Sequence, residues 1–363
     1  MRRARVIIDL AKISHNSRIM VSKCAQAGMI VVGVVKAVSG SPEVATAMLD
    51  GGVQWLADSR IENLTRLRQA GLQQTLMLLR TPHLGEVEQV VATADISLNS
   101  ELATIRALGE TACRQGKVHQ IVFMVDVGDL REGVMPDDVM PLVHEIALVP
   151  GTELVGLGTN VGCYGGLVPT PENTTIICDL AKEIREKIGL DLPYLSGGNT
   201  RTSILLDDGG MPPGLHHLRL GEGILLGNYT LDGRKIPGSY QDAFILQAPV
   251  IELKTKPSRP QGVIARDAFG QIPAYEDKGL RRRAIVAVGR QDLGAGWLIP
   301  LDQGVEILGA SSDHLIVDIC DAVHDIEVGS ILSFRLDYGS LVGLMTSPYV
   351  DKVHLLSGIE LSP

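Results

Sequence analysis

Short apolar segments alternate with longer amphipathic segments over the first two thirds of the chain. Residues 31–35 are mostly β-branched, too few for a helix and too apolar for an exposed strand, so they predict a buried strand. Similar runs recur along the chain, and the predicted strands are 31–35, 55–58, 75–79, 96–99, 120–127, 154–160, 194–198 and 217–220 with 224–226. Segments of helical period separate them, at 42–50, 61–70, 84–94, 101–115, 137–148 and 171–188.

This alternation predicts an α/β fold. Eight strands that alternate with helices over about 200 residues are typical of a (β/α)8 barrel of the TIM type. A doubly wound sheet is the competing fold, but it favours a Gly-rich fingerprint directly after the first strand. That turn carries Lys36 instead. We therefore predict a barrel.

From about residue 240 the pattern changes to short alternating or apolar runs separated by Gly- and Pro-rich turns, with no clear helical period. This pattern predicts a second, all-β domain. The expected domains are residues 1–235 for the barrel and 236–363 for the β domain. A short strand at 6–8 precedes the first helix, and it is free to pair with the β domain instead of the barrel.

Composition narrows the class of protein. The chain has 363 residues, 45% hydrophobic and 21% charged, with a net charge of -9. Acidic and basic residues are interspersed, which argues against a nucleic-acid or membrane-surface partner. No segment has the length and hydropathy of a signal peptide or a membrane span. The five cysteines show no metal-binding spacing, so we expect reduced thiols, a cytoplasmic location and no metal site.

Lys36 is the residue with the clearest chemical potential. A lysine that closes a buried strand can be partly desolvated, which favours the neutral, nucleophilic amine that a Schiff base requires. The alternative is a structural lysine that extends its ammonium from the strand end into solvent. The Gly-rich turns 196–200 and 219–223 follow two other strands, and their backbone N–H groups suit an anion. Together these features fit a ligand that carries an aldehyde and a phosphate.

Six segments in this order resemble one family, at 57–63, 126–133, 158–160, 196–199, 218–222 and 309–314. The chain is similar to the fold-type III pyridoxal-phosphate enzymes, and especially to amino-acid racemases of the alanine racemase type. Within them it most resembles the ornithine racemase-like branch. The resemblance implies pyridoxal 5'-phosphate as cofactor, a barrel with a β-rich C-terminal domain, and a head-to-tail homodimer. In such a dimer, C-terminal residues of one chain cover the cofactor of the other.

The resemblance also implies roles for individual residues. Lys36 matches the lysine that bonds the aldehyde, and Arg219 matches the arginine that donates to the pyridine nitrogen. Arg131 matches the arginine near the substrate carboxylate, and Ser312 is assigned to the substrate as well. The remaining cofactor contacts are Asn160, in place of a ring-stacking histidine, and Asn199, Thr200, Gly221 and Glu222 in the phosphate-binding turns.

Besides Asn160, three further positions depart from the family. Gly40 replaces a phosphate-contacting tyrosine, and Met124 replaces a lysine that some members carbamylate. Phe269 stands in the register of the catalytic tyrosine, and a phenylalanine cannot transfer a proton. The second base must then be another residue. We assign Asp267 and Asp313 as candidates, with His314 and Cys163 as alternatives.

The predicted function is racemisation by proton exchange at Cα, with ornithine or a related basic amino acid as substrate. An alanine or broad-specificity racemase is the nearest alternative. A decarboxylase of the same fold type is disfavoured by Arg219, where those enzymes place a glutamate. The alternative from another class is a non-catalytic pyridoxal-phosphate homeostasis protein, but such a carrier has no need of a β domain.

Overall fold

The structure is a computed structural model that describes residues 3–356 and 358–360. It divides into two compact units. One unit comprises Ala11–Tyr240, and the other joins the N-terminal segment up to Leu10 to the segment from Gln241 onward. Within the described residues, no helix is long and apolar enough to cross a membrane.

The chain begins with strand β1 (Arg5–Asp9) and helix α1 (Leu10–Gln26). The strands that follow are β2 (Ile30–Val34), β3 (Trp55–Asp58), β4 (Leu76–Leu78), β5 (Ile96–Asn99), β6 (His119–Met124), β7 (Thr152–Gly158) and β8 (His217–Leu220). The helices between and after them are α2 (Pro42–Asp50), α3 (Ile61–Gln69), α4 (Val87–Thr93), α5 (Leu102–Arg114), α6 (Val139–Ala147), α7 (Pro171–Ile188) and α8 (Glu222–Leu225). Short 3-10 turns lie at Lys36–Val38, Leu84–Glu86, Pro136–Asp138 and Thr202–Leu206.

The seven strands β2–β8 form a parallel sheet in the order β7-β6-β5-β4-β3-β2-β8. Ser196 forms one parallel bridge to Gly158 at the end of β7 and another to His217 at the start of β8. These two bridges close the sheet into a ring with eight strand positions. The predicted strand 194–198 is represented by these bridges and by backbone hydrogen bonds, among them Tyr194 N–H to the carbonyl of Val155 at 3.1 Å and Arg219 N–H to the carbonyl of Gly198 at 2.8 Å. The predicted barrel class is confirmed, and the doubly wound alternative does not apply.

The barrel interior is filled by apolar side chains from alternate strand positions, as the period of two along a strand requires. The buried cluster comprises Val32, Val34, Ala57, Met77, Ile96, Leu98, Val122, Met124 and Val155. Close approach of the backbone at the eighth position depends on Gly156. A Cβ there would lie 2.0 Å from the carbonyl oxygen of Tyr194, so β7 and the 194–196 segment can meet only at a glycine.

The second unit is mostly antiparallel sheet. Its strands after β1 are β9 (Phe244–Pro257), β10 (Leu280–Val286), β11 (Leu298–Pro300), β12 (Glu306–Ala310), β13 (Leu315–Asp318), β14 (Ile331–Leu336), β15 (Asp351–Leu356) and β16 (Ile359–Glu360). β1 pairs antiparallel with β9 and parallel with β15. Two helices interrupt the sheet, α9 (Arg290–Leu293) and α10 (Tyr338–Thr346).

Two local predictions are wrong. Residues 224–226 are not strand, because Ile224 N–H donates to the carbonyl of Gly221 and the segment turns into α8. The second unit is not entirely β, because nine residues form α10. Asp337 caps this helix by accepting a hydrogen bond from the N–H of Ser340 at 2.7 Å. Both segments are apolar and short, so their tertiary contacts decide their conformation.

Candidate active site

Lys36 lies directly beyond β2, at the first position of the 3-10 turn Lys36–Val38. Its neighbours Val35 and Ala37 are buried, and Val35 N–H donates to the carbonyl of Ala57 on β3 at 2.9 Å. The Lys36 side chain itself is exposed. The partial desolvation predicted for this lysine is therefore wrong for the chain on its own. The amine is fixed at its base and accessible at its tip.

Asp58 ends the neighbouring strand and is fully buried. Its carboxylate accepts a hydrogen bond from Arg60 N–H at 2.8 Å and from the side-chain amide of Asn63 at 3.1 Å. Burial raises the pKa of Asp58 to about 6, although these donors and the charge of Lys36 oppose the rise. The sequence places Asp58 at a strand end, but its proximity to Lys36 depends on the tertiary structure.

Gly40 is where the family has a phosphate-contacting tyrosine. Its φ is +62°, and a Cβ at this position would lie 2.7 Å from the Cβ of Asn63. A side chain at residue 40 would therefore displace Asn63, the residue that holds Asp58. The local backbone requires glycine.

Arg219 lies on β8 and is buried, with 4% of its surface exposed. Its guanidinium donates to the carbonyl of Thr159 at 2.9 Å, to the side-chain oxygen of Asn160 at 3.4 Å and to the hydroxyl of Ser196. All three acceptors are neutral. Burial lowers the pKa of Arg219 to about 10, and the nearby Glu132 charge partly counters this effect. The guanidinium remains protonated at neutral pH.

Asn199 joins the two loops beside Arg219. Its amide nitrogen lies 2.8 Å from the side-chain oxygen of Asn160, 3.0 Å from the carbonyl of Val161 and 3.2 Å from the thiol of Cys163. Its amide oxygen accepts a hydrogen bond from Arg201 N–H at 2.7 Å. The end of β7 and the turn 196–200 are therefore held in one hydrogen-bonded network.

The two Gly-rich turns also contact each other. Gly223 N–H donates to the hydroxyl of buried Thr200 at 3.3 Å. This bond joins the turn 196–200 to the first turn of α8, where Gly221 and Glu222 lie. Gly198 has a φ of +113°, a conformation that favours glycine. The predicted phosphate-binding residues are thus brought together.

Several buried polar atoms near these turns have no hydrogen-bond partner. They are Thr159 Oγ1, Asn160 Nδ2 and Thr202 Oγ1. Because buried polar groups are normally hydrogen-bonded, these three atoms have hydrogen-bonding capacity left for a polar ligand or a water molecule. The sequence placed Thr159 and Ser196 at strand ends without a role and did not single out Thr202, since only the folded chain shows which hydroxyls are buried there.

Arg131 lies in the loop after β6, and its backbone is fixed by Asp126. The Asp126 carboxylate accepts hydrogen bonds from the N–H groups of Gly128 at 2.8 Å, Leu130 at 3.1 Å and Arg131 at 3.1 Å. The Arg131 guanidinium pairs with the carboxylate of Glu132 at 2.9 Å. Met124, where some family members carry a carbamylated lysine, is part of the buried barrel core.

Asp129 fixes the loop that follows β7. Its carboxylate accepts N–H hydrogen bonds from Gly162 at 2.8 Å and from Tyr164 at 3.2 Å. Burial alone would raise the pKa of Asp129, but these donors and the charge of Arg131 lower it below its usual value. This carboxylate is therefore structural, and it positions the loop that contains Cys163.

The barrel unit contains every predicted cofactor residue: Lys36, Asn160, Asn199, Thr200, Arg219, Gly221 and Glu222, together with Arg131. Ser312, Asp313 and Asp267 belong to the second unit. The Asp313 carboxylate accepts a hydrogen bond from the Ser312 hydroxyl at 2.9 Å. Asp267 accepts from the N–H groups of Phe269 at 2.9 Å and Gln271 at 2.8 Å, so it stabilises its own turn. Among the described residues there is no cluster of metal-binding side chains.

Comparison with known proteins gives a consistent result. The family model "Alanine racemase, N-terminal domain" matches residues 8–228. The chain is 44% identical over 349 residues to an ornithine racemase of Acetoanaerobium sticklandii, which covers 96% of this chain and 98% of that protein. It is 39% identical over 350 residues to a lysine racemase of Thermotoga maritima, with the same coverage of 96% and 98%. Among solved structures, an alanine racemase of Clostridium difficile 630 superimposes with a TM-score of 0.73 at 19% identity, over 99% of this chain and 97% of that one.

Proposed function

Because the chain belongs to the alanine racemase family of amino-acid racemases, we propose that it interconverts the L and D forms of ornithine or a related basic amino acid with pyridoxal 5'-phosphate as cofactor. The substrate class is supported by the two near-full-length relatives, which are named as ornithine and lysine racemases. The structural observation that carries the proposal is the grouping of Lys36, Arg219 and two Gly-rich turns at the carboxyl ends of one barrel's strands.

The residues present fit this cofactor. The exposed Lys36 amine is accessible to an aldehyde, and the Arg219 guanidinium has donors for a ring nitrogen. The buried Thr202 and Thr159 hydroxyls and the Asn160 amide nitrogen lack partners and would gain them from a polar ligand. Asn199, Thr200, Gly221 and Glu222 would hold its phosphate. When bound, pyridoxal phosphate withdraws electrons from the amino acid and so acidifies its Cα–H.

Three side chains of this barrel would perform the remaining tasks. The Lys36 amine would remove or return the Cα proton on one face of the substrate. Arg131 would bind the substrate carboxylate through its planar guanidinium. Arg219, protonated at neutral pH, would donate to the ring nitrogen without protonating it. A weaker electron sink favours simple proton exchange over transamination.

The opposite face of the substrate needs a second proton donor. We propose a head-to-tail homodimer in which Asp313 or Asp267 of a second copy serves this face. The test is to mix Lys36→Ala with an inactive variant of the C-terminal unit under proven subunit exchange. In a random mixture about half of the dimers contain one copy of each variant, and one of the two sites in such a dimer combines two intact halves. About a quarter of all sites should therefore be complete. Absence of any recovered activity would contradict a shared site.

The function itself is tested on purified protein supplied with pyridoxal phosphate. L-Ornithine and L-lysine should racemise and gain deuterium at Cα in heavy water, whereas L-alanine should react more slowly. Borohydride treatment followed by peptide mapping should place the pyridoxyl group on Lys36, with Lys36→Ala as the control. A protein that racemises none of the three amino acids, or a label on another lysine, would refute the proposal.

We also propose a cytoplasmic location. All five cysteines are free thiols, and Cys113, Cys163 and Cys320 are exposed. Exposed thiols persist in a reducing compartment and tend to oxidise elsewhere. Detection of the protein in the cell's cytoplasmic fraction would test this proposal.

A further inference from the structure

The strand-end loops of the barrel contain cations and carboxylates in different states of pairing. Arg131 and Arg219 supply two positive charges, and Lys36 supplies the amine proposed to bond the cofactor. Among the carboxylates, Asp58, Asp126 and Asp129 accept backbone N–H hydrogen bonds that fix their loops. Glu132 differs from these three. Its carboxylate pairs with the Arg131 guanidinium at 2.9 Å, and its side chain is 24% exposed.

The backbone that carries Arg131 and Glu132 is rigid. The loop is closed by a bridge between Val125 and Val134, with Val134 N–H donating to the carbonyl of Met124 at 3.0 Å. Gly133 has a φ of +119°, and a Cβ there would lie 2.6 Å from the backbone nitrogen of Asp126. The two charged side chains therefore project from a fixed platform at the end of β6.

Glu132 also influences the centre of the site. Its charge acts on the buried Arg219 and raises the pKa of that guanidinium against the effect of burial. Glu132 lies in the loop that follows the carboxyl end of β6, and Lys36 and Gly221 likewise follow the carboxyl ends of β2 and β8, so all three lie at the same end of the barrel. Arg131 acts on Arg219 as well, with the opposite sign. The pair Arg131–Glu132 therefore borders the site instead of the outer surface of the barrel.

A basic amino acid brings a second ammonium group into this cationic environment. The two guanidinium groups would repel that group, and a half-buried carboxylate would attract it. When the substrate carboxylate binds Arg131, two carboxylates share one guanidinium, so Glu132 gains from a second cation. The substrate can balance both charges, since it carries an anion for Arg131 and a cation for Glu132.

We infer that Glu132 is a specificity-determining residue that binds the side-chain ammonium of a basic substrate. This inference rests on the proposed function, including the role given to Arg131. A charge-assisted hydrogen bond of this type is worth about 10- to 100-fold in kcat/KM between a substrate that makes it and one that cannot.

Glu132→Gln tests the inference, because it keeps the shape of the side chain and removes the charge. Ornithine and lysine are compared with norvaline and norleucine, which have the same carbon chains without the second amine. The kcat/KM of the basic substrates should fall about 10- to 100-fold, while that of the neutral analogues stays constant or rises. Glu132→Asp keeps the charge and should retain part of the preference for basic substrates.

Glu145→Gln is the matched control. It removes another Arg–Glu pair, Arg106–Glu145 at 3.0 Å, between two outer helices of the barrel, so it should leave the preference for basic substrates unchanged.

Equal losses for basic and neutral substrates in Glu132→Gln would mean that Glu132 only positions Arg131, and the inference would be overturned. If the unaltered enzyme racemises neutral but not basic amino acids, the proposed substrate class fails first. If it prefers basic ones and Glu132→Gln keeps that preference, the inference alone fails.

Discussion

Arg219 on β8 donates a hydrogen bond to the carbonyl oxygen of Thr159, which directly follows β7, over 2.9 Å. The bond crosses the eighth position of the barrel, where Ser196 bridges the two strands. Ser196 also accepts a hydrogen bond from the same guanidinium. Arg219 thus adds side-chain hydrogen bonds to the closure of the ring, and its plane is fixed by neutral acceptors.

The first prediction concerns Arg219. Arg219→Lys keeps a charge but loses the planar fork, so racemisation should slow by about 10- to 100-fold. Arg219→Glu should slow racemisation and also change the products, because a carboxylate stabilises a protonated ring nitrogen and so strengthens electron withdrawal by the ring. Keto-acid product should then increase relative to the opposite enantiomer. The measurement is the ratio of the two products by chiral chromatography, and an unchanged ratio in Arg219→Glu would reject the assignment.

A second prediction concerns Gly40. Gly40→Ala introduces both a strained φ and a contact of 2.7 Å with the Cβ of Asn63. The free energy of unfolding should fall by about 2 to 4 kcal/mol, the sum of the backbone and overpacking costs. Gly28→Ala is the control, since its φ of +72° is similar but nothing lies within 4 Å of its Cβ. It should lose only about 1 kcal/mol. Equal losses in urea unfolding would show that Asn63 moves aside freely.

The third prediction is a pH dependence due to His119. This residue is buried on β6, where its Nε2 lies 2.8 Å from the Ser97 hydroxyl, and burial lowers its pKa to about 4. Between pH 6.5 and 4 the unfolded chain binds a proton that the folded chain does not. The stabilisation that the folded chain gains by keeping His119 neutral is therefore complete above pH 6.5. As the pH falls toward 4, the free energy of unfolding decreases by about 3 kcal/mol.

His119→Gln removes this titration while it retains a hydrogen-bonding side chain for Ser97. The free energy of unfolding in urea is measured for both proteins at pH 7.5, 5.5 and 4.5. The stability of the original protein should decrease more steeply with falling pH than that of the variant. Parallel pH profiles would mean that His119 keeps an ordinary pKa. His216 and His217, whose pKa values are also lowered by burial, titrate in both proteins and cancel in the comparison.

Much of the barrel was predictable because its elements carry their own signals. The strand Ile96–Asn99 and the helix Pro171–Ile188 have the predicted bounds, since one alternates apolar and polar residues and the other begins with a threonine cap and a proline. The helix α10 (Tyr338–Thr346) was missed because its sequence contains glycines and lacks a polar face. The helical conformation of α10 depends on its burial in the fold, and the hydrophobic periodicity of a short segment does not predict that burial.

The candidate site was predictable only in part. Lys36 was singled out by its position at a strand end, and Arg131 and Arg219 by the resemblance to a known family. All three follow or close strands whose ends a barrel places together. The unpartnered Thr159 hydroxyl and the effect of the Glu132 charge on Arg219 could not be found this way. Their significance arises from burial and distance between loops, and residues 132 and 219 are far apart in the sequence. The spacing of residues along the chain does not show which loops lie close together in the fold.

The last prediction concerns the second base. Asp267 accepts two backbone N–H hydrogen bonds within its own turn, whereas the Asp313 carboxylate has the Ser312 hydroxyl as its neighbour. Each carboxylate keeps one oxygen outside these hydrogen bonds, but the Asp267 carboxylate also holds its own turn together, so Asp313 is the better candidate for a base. Asp313→Asn should abolish Cα deuterium exchange from one enantiomer of the substrate and spare the other, because Lys36 still serves its own face.

Asp267→Asn is the matched control for this experiment, since an asparagine oxygen still accepts the N–H groups of Phe269 and Gln271. It should exchange both enantiomers at close to the original rates. General acid–base groups contribute about 100- to 10,000-fold in rate, so the loss in Asp313→Asn would be unmistakable when each enantiomer is followed separately by NMR. A one-sided loss in Asp267→Asn would transfer the role to that residue. Normal exchange in both variants would exclude both carboxylates and leave His314 or Cys163 as the group to substitute next.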